Sequence, residues 1–588
     1  MLKKSITKFF NERGNCLPLF LVIIVTAAVF AYSCTFPVME SWDDDGYVLN
    51  NMSRLSFSIK NIIYWLRHCF WGNYTPLVMF SYMADYNISG IDGSSYHVQN
   101  LLWHIIAVSG VFYCFRQLKI NTWLCVIGAL FFAIHPQRVE SVVWVAERRD
   151  VMCGAFYFWA LFFYIKNNEY GRMKILPFVL YACALLSKPM AVSLPFIFAL
   201  YDFHVFRETK IKYYLKKFWP AFLVAALITL ITAAQQMNSV REISVLRKIL
   251  IIAYNYMWYF SENFIPYNLC PIYPALSISP ALIVSLIIFY LSAFIIVLII
   301  FRKNRDWALY SVLPLICAYI ISLAPVAGFC KFGSAIFERA DRYNYLPSIF
   351  LTAWLLLLIR RYRDKIQLGR LYSAVSIICL AIFGLYSFYY SLTWKSYEAL
   401  LRSCVLYNPP NNSTLRLLAF TEIQNSNYQQ AAELADFIRA FRQEWMSERD
   451  ISENILISDF IKASIEYKSG DSEKALKMLH AVERRLVKSS LAKDSGIVKS
   501  LCMALAEAYL ARGNKAMALK YYENIIPFLS DRQYNYEYYF FSGICLLLSG
   551  KDREALSSFE KAHQLKPDNE RIIHNIQSIK ERISGISH

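Results

Sequence analysis

Residues 280–305 read PALIVSLIIFYLSAFIIVLIIFRKNR. No charged side chain occurs between Ala281 and Phe301, and Arg302, Lys303 and Arg305 follow at once. About 20 apolar residues cross a bilayer as a helix. An uninterrupted run of that length, closed by a basic cluster, predicts a transmembrane helix with its end on the cytoplasmic side. The rest of the chain repeats the pattern. Hydrophobic residues make up 57% of the 588 and charged residues 18%, whereas a soluble chain is nearer half and a quarter.

Working outward, further spans are expected near 17–36, 98–115, 121–136, 150–166, 174–187, 190–206, 217–235, 307–324, 346–360 and 371–392, about 11 in all with the first. With the N-terminus inside, the basic clusters fall on one side. These are Arg116 and Lys119; Lys166, Arg172 and Lys174; Arg207, Lys210, Lys212, Lys216 and Lys217; Arg302, Lys303 and Arg305; and Arg360, Arg361, Arg363 and Lys365. The segment 248–266 is long enough to span, but counting it would turn Arg302-Lys303-Asn304-Arg305 outward. It is therefore read as an interfacial or re-entrant helix, with Tyr and Trp suited to the headgroup zone. The basic start at Lys3, Lys4 and Lys8 and the apolar run from Leu17 fit an uncleaved first helix better than a cleaved signal peptide.

The formal charge of +18 does not mark a nucleic-acid partner. Residues 401–588 carry 25 Lys+Arg and 23 Asp+Glu, so +16 belongs to the loops of the membrane part. No aromatic-basic platform accompanies it. The 14 Cys are scattered, without CxxC pairs or Cys/His ligand spacing.

After about residue 395 no stretch is long enough to span. Gly543, Ala555, Phe559, Ala562 and Pro567 are spaced 12, 4, 3 and 5 apart, as in a 34-residue tetratricopeptide (TPR) hairpin. Gly470 with Ala475-Leu476, and Gly513 with Ala518-Leu519, share Gly-x4-Ala-Leu upstream, and a weaker unit lies around Tyr428 to Ala435. The small Ala allows close helix packing and the Gly permits a turn; each hairpin needs a stacked neighbour. The fold class is thus all-α. A polytopic body over 1–395, with a first outer loop at 37–97, precedes a TPR-like solenoid over 396–588. An odd span count puts that tail outside.

Under this topology the ionisable residues near span ends converge on the outer face, where such groups usually mark function. Asp43-Asp44-Asp45 follows the first span. Three adjacent carboxylates repel, so at least one pKa should rise. They fit a general base, with a divalent ion left open, or else a solvated loop cap. Lys188 lies in a very short outer turn, Arg342 precedes a span, and Arg148 and Arg149 open another. Such cations suit a lipid phosphate or simple snorkelling to headgroups. His97 and His104 share one helix face with Asn100 between them, but a metal pair would favour a spacing of four.

The stretches WDDDGYVLNN (42–51), FWGNYTPL (70–77), YHVQNLLWH (96–104), HPQRVESVVWVAERRD (135–150), SKP (187–189) and ADRYNYLPS (340–348) together resemble the transmembrane-and-TPR-repeat O-mannosyltransferases of animals, and more closely their bacterial relatives. That resemblance covers nearly the whole chain. It implies a GT-C glycosyltransferase body that takes sugar from a polyprenyl-phosphate carrier on the extracytoplasmic side, with inversion, and a catalytic acid residue in the first outer loop. Counting back from Asn51 places the family's Asp-Asp pair at Asp43 and Asp44, with Asp45 an extra carboxylate. The animal Glu-Arg before Tyr-Leu-Pro-Ser falls on Asp341-Arg342, and Arg-x-Asp on Arg148 and Asp150. Trp42 stands where the animal proteins have His, and the repeats are far fewer.

The resemblance implies Asp43 or Asp44 as base and Arg342, Lys188 and Arg148 on the donor phosphate. Asp45, Glu140, Asp150, Asp341, His97 and Tyr74 would orient them. It further implies a bacterial inner-membrane location with a periplasmic tail, and a protein or peptide acceptor, through a Ser/Thr hydroxyl, held by the TPR groove. Metal dependence is left open. An envelope polysaccharide ligase or polymerase, or a non-catalytic TPR membrane scaffold, are the competing readings. A transporter is disfavoured because the ionisable groups gather at one face rather than mid-span.

Overall fold

The computed structural model describes residues 16–169, 175–236, 244–328, 339–366, 369–407, 410–442, 446–529, 536–567 and 569–584. Lys3, Lys4, Lys8, Arg172 and Lys174 of the readings above lie outside them. Among the described residues the regular structure is helical throughout, apart from one isolated bridge between Phe70 and Asn73. Two compact units emerge: Met1–Asp44 with Phe57–Ser403, and Asp45–Ser56 with Cys404–His588.

In the first unit seven helices are long and apolar enough to cross a membrane. They are Leu17–Thr35, Gly93–Gln117, Pro189–Phe206, Ile211–Ala234, Pro280–Lys303, Arg305–Val326 and Ala374–Trp394. An eighth candidate is the pair Thr122–Ala133 and Pro136–Val143, bent by 54°. The chain is a multi-pass membrane protein. The span count differs from the expected 11 for identifiable reasons. The segment 174–187 yields only the ten-residue helix Leu176–Leu185. Helices Arg148–Glu169 and Ser348–Ile366 form where expected, but their charged residues keep them below the hydropathy of a lipid-facing span. Helix Val245–Glu262 is likewise not among those apolar enough.

The most apolar helix, Pro280–Lys303, is only 6% buried within the protein, so its side chains face outward, as lipid contact requires. Helix Arg148–Glu169 has the opposite character. It packs against Gly93–Gln117, where the bare Cα of Gly110 lets the two backbones approach: a Cβ there would meet that of Phe158 at 3.0 Å.

The second unit is a run of helical hairpins. Glu448–Lys468 pairs with Ser472–Leu486, Ser495–Ala511 with Lys515–Ile525, and Tyr536–Leu548 with Asp552–Leu565. Gly470 and Gly513 turn the first two at φ +105° and +74°, a region that disfavours any side chain. Ala475, Ala518 and Ala555 are fully buried where paired helices cross. The last hairpin turns in the same way, with Gly550 five residues before Ala555 as Gly470 is before Ala475. Its turn is made by Gly550 at φ +77°, while Gly543 lies inside the helix with the Phe559 ring over it. Deleting that ring leaves a cavity against Gly543. Phe559→Ala is expected to cost about 3 kcal/mol and to speed amide exchange across 536–584 roughly a hundredfold. Exchange mass spectrometry of the full-length protein checks it.

Candidate functional site

The Asp-Asp-Asp stretch forms the start of a five-residue helix, Asp43–Tyr47. At 3.6 residues per turn, neighbours point about 100° apart, and the three carboxylates diverge. Asp44 turns inward. Its Oδ1 accepts from the Ala146 N–H at 2.8 Å and its Oδ2 from the Met39 N–H at 3.4 Å. Burial pushes the Asp44 carboxyl up to about 7, against the pull of those two amides; the Asp43 charge is a lesser cause. The expected rise therefore occurs, chiefly through burial rather than repulsion. Asp45 belongs to the second unit, where Lys566 Nζ lies 3.9 Å away.

Asp43 is half-buried and, among the described residues, its carboxylate accepts no hydrogen bond and forms no ion pair. It lies within electrostatic range of Arg149, Arg342 and Glu147. Burial lifts its pKa above the ordinary range, and the two guanidinium groups pull it back. A carboxylate so placed is available to accept a proton.

The cations near it are gathered by Glu147, from the 3-10 turn Val145–Glu147. Glu147 Oε1 lies 2.5 Å from Arg149 NH2 and 3.3 Å from Arg342 Nε, and Oε2 lies 3.3 Å from Lys188 Nζ. Although burial opposes it, Arg149, Lys188 and Arg342 hold the Glu147 carboxyl well below the ordinary range. Lys188 also reaches Asp150 Oδ1 at 2.6 Å, and Ser141 donates to Asp150 Oδ2 at 3.2 Å. Arg342 is fixed by Glu140, which pairs with its guanidinium and accepts from its backbone N–H at 2.9 Å. Burial works against both cations, but their carboxylate partners keep the Lys188 and Arg342 pKa values raised. Aromatic faces close one side. The Arg342 guanidinium carbon lies 5.3 Å from the Trp144 ring centre and 5.1 Å from that of Tyr343. Trp42 stands 6.0 Å from Trp144.

Thus Asp43, Glu140, Asp150, Lys188 and Arg342 are brought together, and Arg148 stands apart. It is fully buried and paired with Asp85 at 2.5 Å. It also donates to Asn100 Oδ1, Gln99 Oε1, Ser81 Oγ and the Tyr96 carbonyl, and stacks 4.5 Å over Tyr82. Its neighbour Arg149 takes the place in the cluster, with 13% of its side chain accessible. His97 is buried, with Nε2 3.4 Å from the Pro37 carbonyl. His104 donates through Nε2 to the Ala133 carbonyl at 3.0 Å and accepts from the Tyr345 hydroxyl at 2.7 Å. Both bind backbone or neighbouring side chains rather than each other. Tyr74 donates to the Leu66 carbonyl at 2.9 Å. Asp341 accepts from Tyr273 and Tyr390 at 2.7 and 3.2 Å, and burial raises its carboxyl well above the usual range. Glu147 itself was not among the expected site residues. Its signal was its place in Glu-Arg-Arg-Asp, two acids bracketing two cations. Among the described residues no three His, Cys, Asp or Glu side chains converge as metal ligands.

The chain is similar to the Xenopus laevis protein O-mannosyl-transferase tmtc2, 29% identical over 188 residues, which are 29% of this chain and 22% of that protein. It is also similar to Mus musculus protein O-mannosyl-transferase TMTC3, 27% identical over 203 residues, 32% of this chain and 21% of the relative. Drosophila melanogaster protein O-mannosyl-transferase Tmtc1 is 29% identical over 150 residues, 23% of this chain and 17% of the relative. The matches thus span about a fifth of the length of these relatives. No family model matches the chain, and no solved structure matches it significantly.

Two outcomes are expected. The folded-state pKa of Asp44, about 7, lies above its unfolded value, so the folded protein holds the extra proton. That stabilisation is full below about pH 4 and is lost as pH rises through about 7. The thermal midpoint of the wild type should fall across that window, and Asp44→Asn should flatten the decline. Separately, Asp85→Asn leaves the Arg148 charge buried without its counter-ion. A loss of about 3 kcal/mol in stability is expected, read from denaturant unfolding.

Proposed function

We propose that this chain is a membrane glycosyltransferase that moves a sugar from a polyprenyl-phosphate carrier to a hydroxyl of a protein substrate, with Asp43 as the base. The observation that carries this reading is the Asp43 carboxylate, unengaged by hydrogen bond or ion pair and facing cations gathered on Glu147. The names of the similar proteins, protein O-mannosyl-transferases, support the reaction class and a mannosyl donor.

In this mechanism the acceptor hydroxyl oxygen attacks the anomeric carbon as its proton passes to an Asp43 oxygen. The bond from that carbon to the phosphate oxygen breaks with inversion, and the polyprenyl phosphate leaves with the electron pair. A positioned base contributes about 10²–10⁴-fold. Negative charge grows on the departing phosphate, so fixed cations there contribute at roughly 10²-fold or more. Arg342, Lys188 and Arg149 supply that charge, in place of the Arg148 expected from the sequence. Glu140, Glu147 and Asp150 hold the three in position. Trp42, partly exposed beside Trp144, offers a face for the sugar ring. Asp44 anchors the loop and does no proton transfer. The site lies on the extracytoplasmic side of a bacterial inner membrane, and the TPR-like unit receives the acceptor polypeptide there.

Asp43→Asn is expected to lower transfer from polyprenyl-phosphate mannose to an acceptor protein by about 10²–10⁴-fold, with expression and unfolding midpoint unchanged. Asp44→Asn should instead shift stability while sparing most of the transfer. The assay is radiolabelled sugar incorporation by purified protein. Full transfer by the Asp43 variant, or loss confined to the Asp44 variant, sinks this assignment.

A further inference from the structure

The end of the helical body away from the Glu147 cluster holds a second feature. Three helices fix the direction. Gly93–Gln117 begins near Asn100, which holds Arg148; Pro189–Phe206 begins beside Lys188; and Ser348–Ile366 begins six residues after Arg342. Their far ends, with parts of Arg148–Glu169 and Leu313–Leu323, enclose a cavity of about 730 Å3. Its interior is apolar, with Leu161, Ile197, Leu315, Phe350 and Leu357 on the walls. Its rim is basic, made by Lys119, Arg360 and Arg361, all exposed. Among the described residues no Asp or Glu lines it.

The rim is also shaped as an interface. The Arg361 guanidinium carbon lies 4.4 Å from the centre of the Trp307 ring. Arg360 NH1 donates to the Leu118 carbonyl at 2.8 Å, which fixes that side chain across the mouth. From Arg361 up to Ile349, both lining the cavity, the helix rises roughly 18 Å at 1.5 Å per residue. One leaflet of hydrocarbon is about 15 Å deep, half of a typical core. The cavity thus has the depth of one acyl chain and the charge of a phosphate receptor. Basic pockets between transmembrane helices bind anionic headgroups on these terms.

We infer that this cavity binds an anionic glycerophospholipid from the leaflet at that end, with its phosphate on Lys119, Arg360 and Arg361 and an acyl chain among the apolar walls. This site is separate from the one that carries the proposed sugar transfer, and it stands whether or not that reaction is correct.

Native mass spectrometry of the full-length protein, titrated in detergent with phosphatidylglycerol or phosphatidylcholine, tests it. The wild type should retain phosphatidylglycerol roughly tenfold better, since each basic residue adds to the attraction. Arg361→Gln combined with Lys119→Gln should bring the two lipids within about twofold. Ala353→Phe, which fills the cavity and leaves the rim charges, should expel phosphatidylglycerol. Equal retention of the two lipids by the wild type overturns the inference, as does an unchanged ratio in the charge variant. Retention by a folded Ala353→Phe protein overturns the acyl-chain placement. Displacement of phosphatidylglycerol by equimolar polyprenyl phosphate overturns the phospholipid assignment in favour of the isoprenoid. The first two measurements use only wild type and exposed side chains, so they decide the matter even where the cavity variant fails to fold.

Discussion

One buried carboxylate ties the membrane unit together at its charged end. Glu147 meets Arg149 from its own turn, Lys188 from a turn some forty residues on, and Arg342 from a turn nearly two hundred residues on. Three distant segments are thus brought to one point by charge. Removing such ions from water costs several kcal/mol each, and only close pairing offsets it. The geometry that offsets the cost is the same geometry that gathers the cations on which the proposed transfer draws. Stability and the proposed chemistry therefore draw on one set of contacts.

That dependence explains why the cations are graded in exposure. Arg148, with 0% of its side chain accessible, has Asp85 and four hydrogen-bond acceptors. Nothing remains to offer a substrate. Arg149 and Lys188 at 13%, and Arg342 at 8%, are held by carboxylates yet keep an accessible edge. A carboxylate gripping a cation is a partner that an incoming phosphate can share, because each guanidinium has five N–H donors and an ammonium three.

Much of this was legible in the sequence, and the failures have definite causes. Apolar runs and basic clusters marked the membrane body, and the Gly and Ala spacings marked the hairpins. Lys188 and Arg342 were named from their places at span ends, and Glu140 and Asp150 through the resemblance. Sequence did not tell Arg148 from Arg149, or Asp43 from Asp44. Adjacent residues on a helix differ by about 100° in direction, and only the packed neighbours say which direction faces the site. Glu147 was missed for the same reason: nothing local shows that Lys188 and Arg342 will come to it. Gly543 was read only from its spacing to Ala555 and Phe559, and it is the Phe559 ring in the partner helix that requires its missing side chain. Gly550, seven residues later, makes the bend.

The hydropathy misfit of two helices follows from the same physics. Arg148–Glu169 and Ser348–Ile366 fall short as lipid-facing spans, and both begin at the charged end of the body. At that end most of their polar residues are buried. Arg148 and Asp150 are buried in protein, as are Ser348 and Thr352. A helix sheathed by other helices meets its polar groups with hydrogen bonds, so lipid sets no limit on its composition. The helices that do face outward, above all Pro280–Lys303, carry almost no polarity along their middle. Hydropathy thus measures contact with lipid rather than crossing. By that measure Arg148–Glu169 is enclosed at its charged start, whereas Ser348–Ile366 keeps its charges, Arg360 and Arg361, exposed at its far end.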